Sequence, residues 1–193
     1  MVNRAWLSAG LVLALSGCIS LGPKTPDQLL TLTPEHAAPA GSATNGNAAS
    51  ALAVIEPHAQ QRLMVTRVPV QVTDSTLAYL QDAVWVEKPT RLFRQLLAET
   101  VRARGTRLVV DEGDLGYSAA TKLSGQLLDM GYDAASSSVV VRFDGVLQGA
   151  DGKVLTRRFE SRIPGIAAEA AAVGPALNQA ANQVASEVSD WVG

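Results

Sequence analysis

The chain has 193 residues, of which 47% are hydrophobic, 18% charged and 5% aromatic, and its formal charge is −2. That length and composition predict one globular domain with a core of aliphatic residues and Ala. The near-neutral balance excludes the basic footprint of a nucleic-acid binder. The single cysteine excludes an internal disulfide and a cysteine-rich metal site.

Asn3 and Arg4 form a short charged start, and Ala5 to Leu15 is an uncharged run weighted by Leu7, Leu11, Val12, Leu13 and Leu15. At about eleven residues this run matches the apolar segment of a secretory signal and is too short to span a bilayer as a helix. It ends in Leu15-Ser16-Gly17-Cys18, a branched apolar residue, two small residues and the lone cysteine. This is the pattern of a lipobox. Small residues let the backbone enter a narrow peptidase site, and the Cys18 sulfur carries the diacylglyceryl group. Cleavage between Gly17 and Cys18 then frees the Cys18 amine for N-acylation. Residues 1–17 are thus expected to be a signal peptide and Cys18 the lipidated first residue of the mature chain. The alternative is an ordinary signal peptide with a chance cysteine. With two or more acyl chains the anchor holds stably, at about 0.8 kcal/mol per buried methylene. Ile19 follows Cys18 where an Asp would signal inner-membrane retention. The expected location is therefore the periplasmic face of the outer membrane.

Residues 18–27 read as a Gly- and Pro-containing tether and 28–193 as the domain. Gln28 to Thr33 reads as a short strand with Leu30 and Leu32 on one face, ended by Pro34. Residues 35–50, rich in Ala, Gly, Ser, Asn and Pro, read as a flexible loop. Ala51 to Glu56 and Leu63 to Val72 are further strands. In the second, Met64, Thr66, Val68, Val70 and Val72 form the expected buried set, and Pro69 places it at an edge or a bulge. Thr76 to Trp85 is ambiguous, extended around Leu77, Tyr79 and Leu80 and then turning. A helix starts at Pro89, buries Leu92, Phe93, Leu96, Leu97, Thr100 and Val101 at helical spacing, and ends at Gly105. Arg107 to Asp111 is a short strand. Ala120 to Met130, Ser137 to Gln148 and Lys153 to Ile163 then form an antiparallel meander, with hairpin chemistry at Gly149-Ala150-Asp151-Gly152. The last helix carries Leu177, Ala181, Val184, Val188 and Trp191 on one stripe, with its true start at Gly174 and Pro175. The predicted class is α+β, an antiparallel sheet with two main helices packed on one face.

Candidate chemistry is sparse. His36 and His58 stand in or beside loops without metal spacing, and no Gly-x-Ser-x-Gly elbow occurs. Gly145, Gly149, Gly152 and Lys153 join two strands, unlike a phosphate loop, which leads from strand to helix. Asp111, Glu112 and Asp114 read as a solvated acidic turn. No catalytic residue, metal or soluble cofactor is expected. One grouping stands out: Arg142, Arg158 and Arg162 share the outward face of the second and third meander strands. They read either as a docking patch for an acidic partner or, more simply, as a solvated face balanced by Asp144 and Glu160.

The mature chain resembles the ABC-type transport auxiliary lipoproteins, the PqiC-like family. The resemblance is carried by the lipobox, Leu30-Thr31-Leu32-Thr33-Pro34, Met64-Val65-Thr66-Arg67, Leu77-Ala78-Tyr79, Trp85 and the helix from Pro89. It continues through Leu123-Ser124-Gly125-Gln126-Leu127, Arg158-Phe159-Glu160 and the Ala-rich helix closing on Trp191. The family often has Tyr where this chain has Leu30. The resemblance implies a non-enzymatic accessory or docking subunit. Its implied partners are an MCE-domain protein and the associated ABC permease and ATPase, which move lipids between inner and outer membranes. Of site residues it carries over only Cys18, the attachment point. Two other classes compete: an assembly or structural lipoprotein serving an outer-membrane protein, and a periplasmic hydrolase, which the missing triad and metal ligands oppose.

Overall fold

The computed structural model describes residues 26–110 and 119–193. Cys18, Gly17, the rest of the expected signal peptide and the acidic cluster at Asp111, Glu112 and Asp114 lie outside the described residues. Three long strands form the centre: β6 (Thr121–Asp133), β7 (Ser138–Gln148) and β8 (Val154–Pro164). They form from β-branched and aromatic runs, Val139 to Val141 and Phe143 on β7 and the alternation around Phe159 on β8, with tight turns between them. Val139, Val141 and Phe143 face inward and are buried, as is Phe159 on β8. In the β7–β8 turn, Gly152 takes φ +81 and Gly149 accepts its N–H at 3.0 Å. The Gly-rich stretch is thus a hairpin.

The other edge of β6 is shared by short strands. β1 (Leu52–Val54) pairs with it at Thr121 to Leu123, β2 (His58–Ala59) at Gln126 and Leu127, and β3 (Arg67–Thr73) at Tyr132 and Asp133. All three run parallel to β6. β5 (Val109–Val110) is parallel to β1, while β4 (Thr76–Val84) is antiparallel to β3. The α+β class therefore holds, but the sheet is mixed where the sequence predicts an antiparallel one. Two- and three-residue strands carry no readable period, and their parallel partners lie across long crossovers.

α1 (Pro89–Ala103) and α2 (Ala170–Val192) both lie on the inner face and against each other. α1 buries every residue expected of its apolar face. The Thr90 hydroxyl donates to Glu56 Oε1 at 2.6 Å near its start, and Gly105 follows its end with φ +68. α2 begins a turn before the expected start. Val173 continues the stripe of Leu177, Ala181, Val184 and Val188, and all five are fully buried. Pro175 sits inside the helix, early enough to remove only one bond near its beginning. Four rings tie the layers together: Phe93 on α1 meets Phe143 edge-on at 5.3 Å, Phe143 stacks on Phe159 at 6.4 Å, and Phe159 meets Trp191 on α2 at 5.5 Å. Gly125 and Gly145 are register partners beneath these rings.

Other segments depart from the sequence reading. Gln28 to Thr33 contributes only a one-residue parallel bridge, Leu30 to Trp85. In place of a strand from Leu63, a 3₁₀ turn (Gln61–Leu63) buries Leu63, and β3 begins at Arg67. Of the expected buried set only Val68 is fully enclosed, and Val72 is 41% exposed, where the β3–β4 register shifts between Gln71 and Thr73. Pro69 coincides with a bulge against β4, as its missing N–H demands. The ambiguous Thr76–Trp85 segment is mostly β4, bulged around Asp82 at φ 55. Residues 35–50 lack strand or helix but are tied at both ends, the Ala48 carbonyl accepting from Ala120 N–H at 2.8 Å. Thr33 and Glu35 donate to Asn178 Oδ1 and Asn182 Oδ1 on α2, and Ala38 donates to Glu99 Oε1 on α1.

Candidate functional site

The outer face of the sheet, away from both helices, holds the arginines singled out by the sequence. Strand alternation puts Arg142 outward on β7 and Arg158, Glu160 and Arg162 outward on β8, since their neighbours Phe143 and Phe159 are buried inward. Register then sets the pairs. Arg142 stands opposite Glu160 and Asp144 opposite Arg158. Arg142 Nε donates to Glu160 Oε2 at 2.6 Å, and its Nη1 donates to Asp129 Oδ2 at 2.7 Å. Arg158 grips Asp144 with two bonds, at 2.6 and 2.7 Å. Arg162 Nη1 donates at 2.9 Å to Asp133 Oδ2 and to the hydroxyls of Ser136 and Ser138.

Sequence reasoning missed the rest of this network. Arg62, in the 3₁₀ turn, donates to Asp129 Oδ1 at 2.6 Å, to the Leu128 carbonyl at 2.8 Å and to Gln71 Oε1 at 3.2 Å. Asp129 is thus clasped by two guanidiniums, Arg62 and Arg142. The bulge between Leu127 and Asp129 shifts the phase of β6, so Asp129 and Asp133 face outward while Met130 and Tyr132 enter the core. Simple alternation along β6 hides that shift. Arg62 lies far from the meander in sequence and has no local signal.

The electrostatics follow from these contacts. The hydrogen bond from Arg142, then its charge, holds the Glu160 carboxyl below the ordinary range, and Glu160 in turn raises Arg142. Arg158 lowers Asp144, and Ser136 followed by Arg162 lowers Asp133. All three predicted arginines come together, but each already holds a carboxylate. The face presents alternating charge rather than a free basic patch. His36 is exposed in a cleft beside Thr100, Arg104 and Ser186, and His58 is exposed on β2. Among the described residues, no three His, Cys, Asp or Glu side chains converge to hold a metal.

The family model of the ABC-type transport auxiliary lipoprotein component matches residues 30–189. The chain belongs to that family. Its fold is similar to the crystal structure of protein XCC0632 from Xanthomonas campestris, of the DUF330 family. That match has a TM-score of 0.70 at 19% identity, covering 86% of this chain and 94% of that one. A second crystal structure, of an uncharacterized protein, aligns with TM-score 0.64 at 14% identity, covering 78% of this chain and 97% of the other. No curated protein matches the sequence significantly. The family is auxiliary to ABC-type transport, and among the described residues no helix is long and apolar enough to cross a membrane.

Proposed function

We propose that the protein is a non-enzymatic accessory and docking subunit of an ABC-type system that moves lipids between the inner and outer membranes. In this reading Cys18 carries a diacylglyceryl and an N-acyl chain, which hold the domain at the periplasmic face of the outer membrane. The partner docked is an MCE-domain protein working with its ABC permease and ATPase. The observation that carries the reading is the family match over residues 30–189, which spans nearly the whole described domain. The outer sheet face supports a docking role. Arg142, Arg158 and Arg162 are held rigidly by cross-strand carboxylates. Such a face suits a partner whose own charges alternate, because each charge keeps its partner within the face and none is stranded when the interface closes.

The test is mild crosslinking of the full lipoprotein in its own host, followed by mass spectrometry of the captured proteins. Recovery of an MCE-domain protein with its permease or ATPase is expected, and an Arg142→Glu, Arg158→Glu double variant should reduce it. Recovery of an outer-membrane barrel alone would overturn the transport reading and make the protein an assembly factor.

A further inference from the structure

The outer sheet face has two unlike halves. The half built on β6, β7 and β8 carries the charged network, with Val154 and Leu155 exposed only at its hairpin end. The half built on β3, β4 and the N-terminal bridge carries exposed Leu29, Leu77 and Val86 among polar residues such as Arg67 and Gln71. Leu30 and Trp85 point inward, Leu30 against Gly174 of α2, so alternation turns Leu29, Val84 and Val86 outward. Leu29 is 45% and Val86 51% exposed. Arg67, register partner of Val84, lies over the Tyr79 ring at 4.5 Å, and Leu77 on the same strand is also exposed. A cation held against an aromatic ring beside exposed aliphatics is the composition of a surface that meets a membrane interface, where apolar bodies enter and cationic tips reach phosphates.

The position of this half matters as much as its chemistry. Leu29 lies three residues after the first described residue, Pro26, and the chain therefore reaches the domain at this patch. Only residues 19–25 separate Cys18 from Pro26. Fully extended, the eight steps from Cys18 to Pro26 reach about 28 Å at ~3.5 Å per residue. A domain of this size has a radius of gyration near 15 Å, so so short a leash keeps the patch within one domain width of the anchor. The charged half cannot take this place without stripping water from its ion pairs.

We propose that the apolar half around Leu29, Val84 and Val86 rests on the lipid bilayer, so that the charged half faces into the periplasm toward the docking partner. The proposal rests on the lipid anchor at Cys18. A monotopic contact of this kind fixes the orientation of a tethered domain without adding a membrane span.

The test uses the mature lipoprotein, whose one native thiol is acylated, carrying either Val86→Cys or Thr156→Cys. Both sites are exposed, at opposite ends of the face. Each is labelled with an environment-sensitive fluorophore and reconstituted in phosphatidylethanolamine–phosphatidylglycerol vesicles. The label at position 86 should be quenched by doxyl-labelled lipid and shielded from iodide about threefold or more relative to position 156, as interfacial burial requires. Equal iodide quenching at both sites overturns the proposal, as does shielding at 86 that depends on protein concentration without vesicles, which would make the cover a second copy. If the protein fails to float with vesicles, the anchor reading itself has failed and the proposal falls with it. Flotation with equal quenching fails the proposal alone.

Discussion

Gly125→Ala tests the way the sheet and the ring cluster are joined. Gly125 has φ +152, and a Cβ there would stand 2.0 Å from the Asp144 carbonyl oxygen and 2.9 Å from two atoms of the Phe143 ring. The first contact is backbone on the neighbouring strand and cannot rotate away. Relief requires β6 and β7 to part or Phe143 to leave its place between Phe93 and Phe159. Overpacking of a core costs about 1–3 kcal/mol, and a residue forced into sparsely populated backbone space costs about 1–3 kcal/mol more. The sum is about 2–6 kcal/mol, which at roughly 2–4 °C per kcal/mol for a domain of this size lowers Tm by about 4–24 °C. Gly152→Ala is the matched control. Gly152 also has positive φ, +81, but nothing lies within 4 Å of its Cβ position. Only the left-handed strain remains, about 1–2 kcal/mol, or a few degrees. Thermal melts of the mature lipoprotein in mild detergent, followed by circular dichroism, measure both. Losses equal within about 2 °C would refute the argument, because backbone conformation alone would then explain each glycine.

Two further outcomes are expected. Asn182→Ala removes the side chain that accepts from Glu35 N–H at 2.7 Å and donates to the Thr33 carbonyl at 2.9 Å, so residues 33–38 should exchange amide hydrogens faster and stability should drop by about 1–3 kcal/mol. Unchanged exchange at Glu35 refutes that tie. For pH, the carboxyls of Asp133, Asp144 and Glu160 are depressed in the folded state by the hydroxyl and guanidinium groups they hold. A depressed carboxyl contributes stability that is fully present above its unfolded value and is lost as pH falls through its folded value. Tm should therefore be flat above about pH 5 and fall below about pH 4, and added salt should soften the fall by screening these exposed pairs. An Arg158→Gln variant, which frees Asp144, should lose less stability over the acid range than the parent. An equal or greater loss contradicts the assignment.

Much of the fold is legible because its longest elements repeat their pattern several times. α1 shows Leu92, Phe93, Leu96, Leu97 and Val101 at helical spacing, and each is buried. β7 and β8 alternate from Arg142 to Asp144 and from Arg158 to Glu160, around Phe143 and Phe159. Where an element is short or its phase breaks, the pattern fails. The stretch around Leu30 becomes a single bridge, and the turn at Gln61–Leu63 replaces the start of a strand. The bulges at Pro69 and in β6 move side chains from one face to the other, as a one-residue shift must. At the candidate site, Arg142, Arg158 and Arg162 follow from alternation alone. Their balance by Arg62, Asp129 and Asp133 does not, because it joins a remote turn to a bulged strand.

The sequence by itself determined the two helices, the meander and their shared core, since each depends on residues adjacent along the chain. Tertiary structure alone decided that β1, β2 and β3 run parallel to β6, and that Arg62 and Arg142 share Asp129 while Arg162 holds Asp133, beyond the balance by Asp144 and Glu160 that the sequence suggests. Those features rest on contacts between segments far apart in sequence. Local propensity and periodicity carry no information about which distant edge a short strand will meet.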